Sequence, residues 1–172
     1  MALKKLKVTV EPKLLRTYLA MIEASEGSSL FQHFYASVNG KVTDILRNGN
    51  LSCSFYVTSI LKLFNLVQEV QVTKYRAVRD MKRSGWYTIP RPKRGCIVVY
   101  AAKPADTKRI KHDKGIYQPT VEHLGFFLGK SEVISNGGDE FKAPERHALK
   151  YRPVTAYYWH DALDHTFTNP DK

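Results

Sequence analysis

The sequence predicts an α+β fold in one domain, and three stretches predict it. Phe55 to Val67 is apolar on nearly every face at helical spacing, Cys96 to Ala102 is a β-branched apolar run of strand length, and Glu122 to Asn136 holds two more strand patterns around the tight Lys130-Ser131 connection. A helix without a polar face belongs inside a domain. The expected architecture is a buried helix packed on a central antiparallel sheet.

At 172 residues, with 43% hydrophobic and 12% aromatic content, the chain is long enough for a real core and too apolar for disorder. Residues 1–172 read as a single domain, divided into an N-terminal helical packing segment (1–50), a core (51–160) and a polar tail (161–172). Internal repeats and low-complexity tracts are absent from the sequence.

Taken in order, Glu11-Pro12 opens a helix whose Leu14, Leu15, Tyr18, Leu19, Met21 and Ile22 recur at helical spacing until Ser25-Glu26-Gly27-Ser28-Ser29. Leu30 to Val38 fits either a short helix or a strand, and Asn39-Gly40 is a turn signal. Ser52 or Asn50 is a suitable N-cap for the central helix, expected from about Ser54 to Val67. A second helix follows, with Tyr75, Val78 and Met81 on one stripe and Lys74, Arg76, Arg79, Lys82 and Arg83 outward, ending at Ser84-Gly85.

Gly85 to Gly95 is a proline-punctuated turn leading into the Cys96 to Ala102 strand. Lys103 to Val121 is polar and basic, and reads as a long loop suited to act as a lid. Glu122 to Gly129 and Glu132 to Asn136 form a meander closed by Gly137-Gly138. Asp139 to Lys150 is polar, and Tyr151 to His160 is the last strand.

Charge narrows the partners. A formal net charge of +11 predicts attraction to polyanions: nucleic acid, an anionic lipid surface or an anionic wall polymer. No helix-turn-helix, zinc-finger or RNP-type signature accompanies that charge, so dedicated nucleic-acid binding is not expected. The lysines among the first ten residues leave no signal-peptide core, and no apolar run is long enough to span a bilayer. A soluble chain is expected, in the cytoplasm or at the cell wall by another route. Two cysteines, Cys53 and Cys96, make no disulfide framework, and the compartment stays open.

Cys53 stands at the mouth of the central helix, where unpaired N–H groups and the positive end of the dipole favour thiolate. A cysteine nucleophile needs a base and a group that orients the base. His123, at the start of a strand, is the candidate base, and the next strand brings Ser135 or Asn136 within reach of its ring. The spacing of His33, His112, His147, His160 and His165, in loops or near ends, makes no zinc motif. Cys96 begins a buried strand and is expected to be inert. No metal or cofactor is expected.

Three motifs occur in a telling order: Ser52-Cys53-Ser54-Phe55-Tyr56-Val57, then Pro90-Arg91-Pro92-Lys93-Arg94-Gly95 before a hydrophobic strand, then His123-Leu124-Gly125-Phe126-Phe127-Leu128-Gly129. From about Leu51 to Asn136 the chain resembles the NlpC-type cell-wall endopeptidases, a compact branch of the papain-like cysteine peptidases. It departs from their pattern in carrying Gly95-Cys96 where Gly-Asp is usual, and Ser135-Asn136 where the third catalytic residue is often His.

The resemblance implies a papain-like fold and a catalytic set of Cys53, His123 and Asn136, with Ser135 as the alternative to Asn136. It offers Tyr35 as an oxyanion tyrosine, with packing as the alternative; Ser52, Ser54 and Ser135 are expected beside the substrate, and Trp86, like Trp159, is read as either a core or a groove-lining residue. The implied substrate is the peptide stem of peptidoglycan, cut beside a D-γ-glutamyl residue. A same-fold thiol amidase or acyltransferase, and a catalytically silent binding module, are the other readings.

Overall fold

A computed structural model describes residues 10–101, 123–137 and 142–164. Among them are three α-helices, a two-stranded hairpin and a six-stranded antiparallel sheet, an α+β arrangement. The Lys103 to Val121 loop, expected as a lid, lies outside the described residues.

Helix α1 (Leu14–Ala24) buries Leu14, Tyr18 and Ile22, which fall four residues apart on one face. The Tyr18 ring meets Phe64 and Phe126 edge-on, and its hydroxyl donates to the Gly95 carbonyl at 2.9 Å. The stretch with two readings resolves into a 3₁₀ turn (Ser29–Phe31) and strand β1 (Tyr35–Val38), which pairs with β2 (Lys41–Asp44). Asn39 and Gly40, both at positive φ, make the turn between them.

Helix α2 (Cys53–Leu63) is the buried central helix, with Tyr56, Val57, Ile60 and Leu61 in the core and Tyr56 edge-on to Phe126 of the sheet. It stops earlier than its apolar pattern suggests. Asn65 turns left-handed at φ 54°, so Leu66 and Val67 enter the core from a turn rather than from a longer helix. Helix α3 (Lys74–Arg83) buries Ala77, Val78 and Met81, whereas Tyr75, expected on that stripe, is exposed.

The large sheet has the order β3-β8-β4-β5-β6-β7, with every neighbour antiparallel. Its strands are β3 (Tyr87–Ile89), β4 (Ile97–Tyr100), β5 (His123–Gly129), β6 (Glu132–Ser135), β7 (Glu145–Ala148) and β8 (Val154–Trp159). The central strands β4 and β5 are buried almost throughout. Both edge strands differ from expectation: β3 lies inside the stretch read as a turn, and β7 inside the segment read as polar connection. Lys130 and Ser131, both left-handed, close the β5–β6 hairpin. Among the described residues no helix is long and apolar enough to cross a membrane.

Candidate active site

Cys53 is the first residue of α2, and its thiol is buried. Ser52 occupies the N-cap position, but its hydroxyl makes no capping hydrogen bond. The helix start is held instead by backbone: the Ser52 N–H donates to the Gly49 carbonyl at 3.2 Å, and the Tyr56 N–H to the Ser52 carbonyl at 2.8 Å. Gly137, just beyond β6, packs on this joint. A β-carbon there would lie 3.0 Å from the Cys53 nitrogen.

His123 opens β5, buried, directly across from Tyr100 of β4. Its Nε2 lies 2.7 Å from Ser135 Oγ on β6. Gly125 makes this possible: a β-carbon at 125 would lie 2.7 Å from Val133 Cγ1 and 3.0 Å from Ser135 Cβ. The His-Leu-Gly spacing thus clears the space through which the imidazole and the serine meet.

The His123 ring is bonded by Ser135, not by Asn136. Asn136 is fully buried, and neither of its amide atoms has a hydrogen-bond partner. Ser135 is the last residue of β6 and Asn136 the first beyond it, and alternation along extended chain turns neighbouring side chains to opposite sides. Only one of them can share the face of His123.

Ser135 also meets a residue the sequence did not single out. His147 of β7 places Nε2 2.7 Å from the same Oγ, in a register that sets Val133 opposite His147. Far from being a loop histidine, it sits within a ring cluster: 6.1 Å from Tyr100, 6.4 Å from His123 and 4.6 Å from Tyr151 between centroids.

Unpartnered buried polar atoms gather here as well. Asn50 Oδ1, Ser52 Oγ, both Asn136 amide atoms and Tyr100 Oη account for five of the six such atoms among the described residues. They flank Cys53, adjoin Gly137 or border His123. Buried polar groups are ordinarily paired, which sets these five apart from the rest of the described interior.

Comparison with protein-family models, curated proteins and solved structures found no match.

Ser54 is buried with its hydroxyl 3.9 Å from the Cys53 sulfur, the one hydrogen bond of that sulfur among the described residues. No hydrogen bond joins the sulfur to the His123 ring. Tyr35, expected as an oxyanion tyrosine, lies on the β1–β2 hairpin, 64% exposed and stacked on His33. Trp86 is a core residue rather than a groove residue, 3% exposed, donating its indole N–H to the Leu66 carbonyl at 2.7 Å. Cys96 is fully enclosed, and burial pushes its thiol up to about 12. Among the described residues no group of three His, Cys, Asp or Glu side chains could hold a metal ion.

Proposed function

We propose that this chain is a cysteine hydrolase resembling the NlpC-type endopeptidases, cleaving an amide bond in the peptide stem of a peptidoglycan. The observation that carries the reading is a continuous joint: Ser135 bonds the His123 imidazole, and two residues later Gly137 packs on the amide of Cys53. In this reading the nucleophile sits at a helix start, and the base and orienter on two paired strands.

In this reading Cys53 Sγ attacks the carbonyl carbon and His123 takes the thiol proton. The tetrahedral intermediate collapses to a thioester, and His123 returns the proton to the departing amine. Water then attacks the thioester, its proton passes through His123, and the acid leaves as Cys53 regains its hydrogen. The Cys53 backbone N–H at the helix start is the oxyanion donor. A side chain at 137 would cover that amide, which accounts for the glycine. Ser135 takes the orienting role assigned by the resemblance to Asn136.

The net charge of +11 supports an anionic wall polymer as the setting of the substrate. The unpartnered polar atoms beside Cys53 suit the N–H and C=O groups of a peptide stem. Incubating purified peptidoglycan with the wild type and with Cys53→Ser, then identifying soluble fragments by mass spectrometry, tests the reading. Fragments released only by the wild type support it. Retention on peptidoglycan with no fragment from either protein identifies a silent binding module.

A further inference from the structure

We infer that His147 is a positioning residue that fixes which nitrogen of His123 carries the proton, acting through the hydroxyl of Ser135. For its catalytic consequence this rests on the hydrolase reading.

The polarity of the hydrogen-bond chain follows from one fixed end. His147 Nδ1 lies 3.1 Å from the Ala148 carbonyl oxygen, and a carbonyl can only accept. His147 Nδ1 therefore carries a hydrogen. In the neutral ring its Nε2 is then a lone pair, 2.7 Å from Ser135 Oγ. A hydroxyl has one hydrogen to give, so Ser135 donates it to His147. The remaining face of that oxygen, 2.7 Å from His123 Nε2, can only accept. His123 must supply the hydrogen there, which makes it the Nε2–H tautomer.

That tautomer leaves the His123 lone pair on Nδ1, the nitrogen with which the ring would take up a proton. Without His147, the Ser135 hydrogen is released to point at His123 Nε2, and the opposite tautomer becomes as favourable. A serine alone is an ambiguous orienter because it donates and accepts. An acceptor beyond it removes the ambiguity. The rings of Tyr100 and Tyr151 wall the chain, and strand pairing of β6 with β7 sets its length.

Long-range proton–nitrogen NMR on the full chain with ¹⁵N-labelled histidine reads each tautomer directly, at a pH well above the ordinary histidine range near 6.5. In the wild type the expected pattern is His147 protonated on Nδ1 and His123 on Nε2. His147→Phe should shift His123 toward Nδ1–H, and His147→Gln, whose amide oxygen can accept from Ser135, should restore Nε2–H. Alkylation of Cys53 should fall roughly tenfold in His147→Phe and recover in His147→Gln, the bias that one hydrogen bond supplies.

A wild-type His123 protonated on Nδ1 overturns the inference, and needs no variant to fold. So does a His123 that stays Nε2–H in His147→Phe. The hydrolase reading fails separately: tautomers as stated beside a Cys53 no more reactive than a free thiol would leave the positioning chain standing and remove the chemistry from it.

Discussion

The α-carbon of Gly137 is seated against the backbone nitrogen of Cys53, where a β-carbon would lie 3.0 Å from that nitrogen, 3.0 Å from the nitrogen of Ser52 and 3.3 Å from the carbonyl oxygen of Asn50. Gly137 also has φ +109°, a conformation L side chains rarely adopt. Crowding against backbone cannot be relieved by a rotamer change. Gly137→Ala is expected to destabilise the fold by about 2 kcal/mol through local strain. Urea unfolding measures the loss, and Cys53 alkylation should slow with it because the helix start must move. Unchanged stability and reactivity would separate β6 from the helix.

Ser135→Ala and Asn136→Ala distinguish the two candidate orienters. The first removes a hydroxyl bonded to two imidazoles and is expected to lower kcat about a hundredfold, with KM little changed. The second removes an amide that bonds nothing, and the His123–Ser135 bond survives it. Its kcat loss should be much the smaller. Steady-state kinetics on released peptidoglycan fragments reads both, and the reverse order would return the orienting role to Asn136.

Much of this site was legible in the chain. The helix behind Cys53 announces itself by being apolar on every face, and the His123 strand by its continuous apolar run. Ser135 and Asn136 both stood out, but choosing between them needs the face of β6, which a one-residue shift reverses. His147 was hidden for a different reason. Glu145-Arg146-His147-Ala148 is a short, charged edge strand without apolar alternation, so nothing in its own residues marks it as the partner of β6. Tyr87-Thr88-Ile89 carries as little signal, being three residues at the opposite edge. The end of α2 turned on the left-handed Asn65, which the apolar Leu66 and Val67 concealed.

Alkali should destabilise the protein, first through Cys96. Burial raises its thiol from 9.0 to about 12, so the folded state holds the proton more tightly than the unfolded chain. That contribution is fully present below pH 9.0 and is lost as pH climbs toward about 12. Tyr18, Tyr56 and Tyr100 are raised by burial in the same sense, from an ordinary value of 10.0. Cys96→Ala should therefore flatten the earliest part of the decline, between pH 9 and 10, and leave the later part. Urea midpoints across that range check it.

Asp44 organises the turn that delivers the chain to Cys53. Its carboxylate accepts N–H groups from Phe34 and Leu46 at 3.1 Å and from Asn48 at 2.8 Å, and pairs with His33 Nδ1 at 2.9 Å. The Asn48 N–H and then His33 hold it well below the ordinary carboxylate value of 3.8. The stabilisation is present above pH 3.8 and is lost as pH falls through the lowered range. Asp44→Ala should lower the thermal midpoint at neutral pH and reduce its acid sensitivity. An acid profile unchanged from wild type would contradict this.

The central claim is that Cys53 is a nucleophile served by His123, and iodoacetamide labelling at neutral pH with peptide mapping tests it most directly. Cys96, enclosed and protonated, should stay unlabelled and serve as the internal reference. Cys53 is expected to react faster than the thiol of a small peptide, and His123→Ala to abolish the excess. A Cys53 that reacts no faster than the peptide thiol, with or without His123, would contradict the account.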